Sequence, residues 1–191
     1  MFLAVAAGAL RHYLAERGQL PDTPLISHSV RSTRRPEDGM TGNRVASIYP
    51  ELATDAADRL ERLERIKRSM AREKERSAIE EPLLDPPDGP FGTRDREAAF
   101  ADPAVLHAAL GSANVVLSNV PGPPELLSFG GFTLVGNYPV PIVGPARFLN
   151  ITTRRNGDAL QMGVMVDAAK ITEIDALVAA LQEECDAFTS A

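Results

Sequence analysis

The chain has 191 residues, 44% of them apolar and 24% charged, with a net charge of −6. That length supports a proper core, and the acidic balance, with no Trp and few aromatics, speaks against a general affinity for nucleic acid. A single cysteine, Cys185, excludes an internal disulfide and a cysteine metal cluster, and fits a reducing cytoplasm.

The first element is read as a helix. Leu3, Ala6, Leu10 and Leu14 form one apolar stripe that continues past Arg11 and His12, which argues for a core-facing helix over a cleaved leader. Gly18 suits its C-cap, and Pro21 bars continuation. Leu25 to Val30 alternates as a half-exposed strand, a charged connection follows, and Gly42-Asn43-Arg44 leads into a second strand, Val45 to Tyr49. The two strands are expected to be neighbours.

Asp55 to Ser77 is the strongest helix, with Leu60, Leu63, Ile66 and Met70 on one face. Eight Lys or Arg stand against four Glu between Arg59 and Arg76. Two readings apply to this basic stretch. One is a solvated face laced with pairs such as Glu61–Arg65 and Glu64–Arg68; the other is a face toward lipid headgroups or phosphates. Residues 80–92, dense in Pro and Gly, are expected to form a mobile loop or connector. Pro103 to Leu110 suggests a short helix.

Asn114 to Pro123 is the most informative stretch. Val115, Val116 and Leu117 predict a strand buried on both faces. It ends on Ser118 and Asn119 before Pro121-Gly122-Pro123 stops pairing. Ser118 and Asn119 either bond nearby backbone in the turn or present a hydroxyl and an amide to a cleft. Further strands are expected over Phe132 to Asn137, Phe148 to Arg154 and Leu160 to Val166, the last two joined by a hairpin at Asn156-Gly157. Thr172 and Asp175 suggest a capping box for a final helix with Ile174, Leu177, Leu181, Cys185 and Phe188 inward. The order predicts one α/β (α+β) domain over residues 1–191: a mixed, largely antiparallel sheet covered by helices.

No phosphate-cradling loop, zinc spacing or nucleophile elbow is present in the sequence. His12, His28 and His107 are scattered; His28, between Ser27 and Ser29, is the one considered for a site, and a structural role is favoured even there.

Asn114 to Pro123 resembles the Asn-Val-x-x-Ser-Asn-Val-Pro-Gly-Pro segment of the bacterial wax ester synthase/diacylglycerol acyltransferase family. Residues 3–11, Gly42-Asn43-Arg44, Tyr138-Pro139-Val140, Leu149-Asn150-Ile151 and the closing helix are similar, in the same order, to other parts of that family, residues 3–11 to the helix that follows its Asn-Asp pair. The resemblance implies a chloramphenicol acetyltransferase-like fold of two similar halves with a tunnel between them. It also implies acyl transfer from acyl-CoA, as co-substrate, to diacylglycerol or a long-chain alcohol, with no further cofactor and no metal.

The family's His-His-x-x-x-Asp-Gly motif, whose histidine takes the acceptor's proton, does not occur in this sequence. The resemblance therefore implies the C-terminal half, inactive alone and naming no catalytic residue of its own. The candidates for the CoA arm or the interface with an N-terminal catalytic half are Gly42, Asn43, Arg44, Ser118, Asn119 and Asn150. Self-association, a non-catalytic lipid- or CoA-binding domain with peripheral membrane or droplet contact, and a degenerate remnant are the competing expectations.

Overall fold

The computed structural model describes residues 1–38, 44–84, 113–144 and 147–190. Helix α1 (Phe2–Glu16) is followed by β1 (Ser27–Ser32), a 3-10 turn (Pro36–Asp38) and β2 (Val45–Ile48). Helix α2 (Arg59–Leu84) precedes β3 (Val115–Val120) and the short strands β4 (Ser128–Phe129) and β5 (Phe132–Thr133). The chain continues through β6 (Leu149–Asn156), β7 (Ala159–Val166) and α3 (Ile174–Thr189). One five-stranded sheet has the order β2-β1-β3-β6-β7; β4 and β5 pair apart from it. The sheet is mixed as expected, antiparallel at both edges (β1/β2, β6/β7) and parallel in the middle (β1/β3, β3/β6).

Among the described residues, helices cover one face of the sheet. Val115, Leu117, Leu149 and Ile151 point into a core shared with Val5, Leu10 and Tyr13 of α1, Ile66 of α2, and Leu177 and Leu181 of α3. Helix α1 is buried around most of its surface, from Ala4 to Leu10, not along a single stripe. Its run of Ala and Gly is thin enough to lie between α2, α3 and the sheet. The helix ends as a Schellman motif: Gly18, at φ +61°, donates to Ala15 O (3.0 Å) and Gln19 donates to Leu14 O (2.9 Å).

Several boundaries depart from the sequence reading. Helix α2 starts at Arg59, because the Asp58 carboxylate accepts the Glu61 N–H (2.8 Å) as its cap. It runs on to Leu84, into the stretch expected to be loop. Pro82 forfeits one backbone donor near the helix end, a small loss for a long helix that is already nucleated. Leu60 is exposed, and Ile66 shares the buried face with Arg62 and Ser69. Instead of Glu64–Arg68, Glu64 pairs with Lys67 (2.6 Å); Glu61–Arg65 forms as expected (3.5 Å). The Thr172 box does not form: α3 starts after Glu173 with no side-chain cap. Phe132 to Asn137 keeps only two strand residues. Beyond them the chain becomes an extended arm in which Pro139 and Pro141 have no N–H to offer a ladder. In the β6–β7 hairpin Asn156 pairs with Ala159, and Gly157, at φ +59°, makes the turn. The rest of 80–92 beyond Leu84 and the Pro103 to Leu110 helix lie outside the described residues.

Candidate functional site

Among the described residues, no helix covers the other face of the sheet, and a groove lies on it. Alternation puts Val116 and Ser118 of β3 on it, beside their partners Asn150 and Thr152 of β6. The expected strand buried on both faces is therefore buried on one: Val115 and Leu117 are core, while Val116 and Ser118 are half-buried. Ser118 and Asn119 also part company. Asn119 turns to the other face, where its Oδ1 accepts the Thr153 hydroxyl (3.1 Å), and Ser118 alone looks into the open side.

A groove of about 320 Å³ runs along this face, lined by His28, Val116, Ser118, Asn150, Thr152 and Ile142 among others. Its outer wall is the arm from Tyr138 to Ile142, held down from below. Asn150 Nδ2 donates to Ile142 O (2.9 Å), Gln161 Nε2 to Val135 O (3.3 Å) and Asn156 Nδ2 to Leu134 O (3.2 Å). Asn150 Oδ1 accepts from Thr152 (3.0 Å), so the amide joins the arm to the groove floor. Gly163 is needed here. An added Cβ would fall 1.9 Å from the Pro139 carbonyl oxygen, so the arm can cross β7 only where no side chain stands.

The groove also opens into the sheet itself. β1 and β3 pair through only two residue pairs, Ser27–Val115 and His28–Val116, whereas β3 and β6 pair through five. Beyond His28 and Val116 the strands separate, and the groove is lined from both sides of the gap by Val30 and Ser118.

At the other end His28 is locked. Its Nδ1 accepts from Arg147, so its Nε2 carries the hydrogen and donates to Ser47 Oγ (3.0 Å). The ring stacks on Tyr49 at 5.3 Å. Burial, with the Arg147 charge added, pushes the imidazole down from 6.5 to about 4. Burial likewise lowers the Arg147 guanidinium, against an opposing contribution from Tyr49. With both nitrogens occupied and no carboxylate among its partners, His28 holds the sheet edge to the start of β6 and is not built to take a proton from a substrate.

A pH dependence follows. Between about 6.5 and 4 the unfolded chain takes up a proton at His28 that the folded chain refuses, so stability is full above 6.5 and falls as pH drops through that window. The loss between pH 7 and 4 is expected to reach about 2–3 kcal/mol. Urea midpoints measured across this range should slope less in His28→Gln than in the parent; equal slopes would remove His28 as the cause.

Of the other candidates, Arg44 is exposed at the start of edge strand β2, its carbonyl accepting the Thr33 N–H (3.0 Å), two strands away from Ser118. Gly42 and Asn43 lie outside the described residues. The structure thus brings Ser118 and Asn150 together and leaves Asn119 and Arg44 apart from them. Arg154 and Gln161 were missed. A period-two reading of Leu149 to Asn156 places Asn150, Thr152, Arg154 and Asn156 on one face, which is the signal that finds the first.

The basic stretch of α2 is largely paired within the protein: Arg59 and Arg62 with Glu184, Arg65 with Asp55, Arg72 with Glu51, and Arg76 with Glu73. Among the described residues no helix is long and apolar enough to cross a membrane and no metal-ligand cluster is present.

A mixed sheet with helices on one face and an open groove on the other is the fold of one half of a chloramphenicol acetyltransferase-like protein. The starter condensation domain of rhizomide synthetase shares that fold (TM-score 0.53, 11% identity), with 99% of this chain matched to 41% of that one. The chain belongs to the WS/DGAT C-terminal domain family, which matches residues 41–188. It is 37% identical over 172 residues to a putative diacylglycerol O-acyltransferase of Mycobacterium tuberculosis, covering 85% of this chain and 36% of that protein. It is 34% identical over 194 residues to the O-acyltransferase WSD of Acinetobacter baylyi, covering 97% and 40%. The wax ester synthase/diacylglycerol acyltransferase of Marinobacter aquaeolei superposes with a TM-score of 0.67 at 26% identity, covering 96% and 40%. The chain thus spans about 36–40% of the length of these relatives.

Proposed function

We propose that this chain acts as the C-terminal half of an acyl-CoA-dependent acyltransferase working on diacylglycerol or a long-chain alcohol. In this role it supplies one wall of the acyl-CoA tunnel, and an N-terminal half brings the proton-accepting histidine. The open face carries this reading. Besides the groove, Val140 (82% exposed) and Ile142 (88%) stand bare in its outer wall, and apolar surface of this kind marks a face that another surface covers. Ser118 and Asn150 then meet the CoA arm in the groove. Arg44, exposed at the start of edge strand β2, stands apart from the groove and remains a candidate for the interface with the second half. The internal pairing of α2 makes membrane attachment through that helix the weaker alternative.

The test is an assay with labelled acyl-CoA and either diacylglycerol or hexadecanol. The expected result is no turnover by the purified chain and turnover on co-expression with the N-terminal half of the Acinetobacter relative. Turnover by the chain alone would refute the division of labour. Acyl-CoA binding without turnover in any combination would instead establish a non-catalytic lipid- or CoA-binding domain.

A further inference from the structure

One cation on the groove face, Arg154, has no partner among the described residues. Arg154 follows Asn150 and Thr152 in the same row of β6, level with Val120 of β3 and Gln161 of β7. Its Nε is shielded from solvent without a hydrogen-bond partner, and its guanidinium enters no hydrogen bond or ion pair among the described residues. Its neighbours differ: Arg155 donates to Gly157 O (2.8 Å), and Arg147 is engaged with His28. Two residues on, Asn156 is 3% exposed and its Oδ1 is likewise unpartnered, although its Nδ2 is fixed on Leu134 O. A half-buried charge without a partner is costly to keep. Arg154 follows groove-lining Thr152 on the same face and stands opposite groove-lining Val120, so its unanswered guanidinium lies next to the groove, where a ligand anion can meet it.

We propose that Arg154 receives a phosphate of acyl-CoA and so fixes the direction in which that molecule lies in the groove. This rests on the acyl-CoA reading above. The phosphates sit at the Val120–Arg154 end and the thioester points toward Asn150. The planar guanidinium suits a phosphate because it presents parallel N–H donors to two oxygens.

The spacing agrees. At about 3.3 Å per residue, Asn150 and Arg154 are about 13 Å apart along β6, a span for an extended arm and not for a compact ligand. The arm between phosphate and sulfur carries two secondary amides, and the gap between β1 and β3 offers partners for amides. Ser27 N–H donates to Pro50 O on the β2 side (3.0 Å), so the even-numbered residues of β1 turn their backbone groups toward β3, and in the Ser27–Val115 register the residues of β3 that face them are odd-numbered. Val30 is the next such residue of β1 after His28 and has no ladder partner on β3. Its N–H and C=O groups, with the Ser118 hydroxyl across the gap, therefore border the groove where the arm passes.

The test compares CoA, pantetheine (the same arm without nucleotide) and dihexanoyl phosphatidate as ligands of the full chain by calorimetry. CoA should bind, Arg154→Ala should weaken it about tenfold or more, and Arg154→Lys should fall between. The weaker affinity for pantetheine should not change with the substitution. Because Arg154→Ala removes a buried unpaired donor, its melting temperature should not fall. Equal CoA affinity in parent and variant, no CoA binding at all, or an equal loss for pantetheine would each overturn the assignment. So would an Arg154-dependent affinity for phosphatidate alone, which would make the site a lipid-headgroup site. Arg154-dependent CoA binding in a chain that never restores acyl transfer would sink the catalytic reading and leave this inference standing.

Discussion

Glu184→Ala is expected to lower the unfolding free energy by about 3–5 kcal/mol, the cost of leaving a buried charge without its partner. Glu184 sits beneath α1, where Arg59 reaches it twice (Nε and Nη2, both 3.2 Å) and Arg62 once (Nη2, 3.3 Å). Arg62 is 3% exposed, and burial lowers its pKa more than the Glu184 charge raises it. Without that carboxylate its remaining acceptors are the carbonyls of Ala56 (3.2 Å) and Ala57 (3.4 Å), and its Nε is already unpartnered.

The cluster fits under α1 because residue 8 is glycine: a Cβ there would come 2.3 Å from the Glu184 carboxyl carbon and 2.7 Å from Arg62 Nη2. The fall should appear as a lower urea midpoint with an unchanged slope. Replacing both partners, Arg62→Met with Glu184→Leu, should recover most of it, since an apolar pair of similar size often matches a buried ion pair. Glu173→Ala is the contrasting control. Its carboxylate, held by Arg17, is 61% exposed, and its removal should cost under about 1 kcal/mol. A double variant as unstable as Glu184→Ala would show that the loss comes from packing and not from the stranded charge.

Gly163→Ala is the second large effect, and it falls on the groove more than on the core. The atom that a new Cβ would meet is the Pro139 carbonyl oxygen, 1.9 Å away, and its carbon lies at 2.9 Å. Both belong to the backbone, so no flexible side chain can give way. The arm from Tyr138 to Ile142 must lift from β7, and Asn150 then loses the Ile142 carbonyl. Overpacking of this kind costs about 1–3 kcal/mol of stability. The larger consequence is loss of the groove wall, read as CoA affinity reduced at least tenfold and as faster amide exchange in residues 137–144. Gly144→Ala, where an added Cβ meets nothing within 4 Å, is the matched control and should change neither reading. Unchanged exchange in the arm of Gly163→Ala would disprove the claim that this glycine seats it.

The sequence alone placed most of the strands and helices, including the strands around Val45 to Tyr49 and Phe148 to Val166 and the helices at both ends. The apolar spacing of Leu177, Leu181 and Cys185 survives into the fold because it depends only on a period of 3.6 residues. The family motif around Ser118 was legible for the same local reason: a strand, two polar residues and a proline stop.

What the sequence did not decide was which side of each element another element would cover. Val116 reads like Val115, yet one faces a groove and the other the core, because helices stack on a single face of the sheet. Ser118 and Asn119 are adjacent in the chain and opposite in space. The parting of β1 from β3, the seat of the arm on Gly163, and the meeting of Arg62 with Glu184 all join residues distant in sequence. No local spacing encodes such contacts. They are set by the close packing of whole elements, which also leaves Arg154 on the open face without a partner of its own.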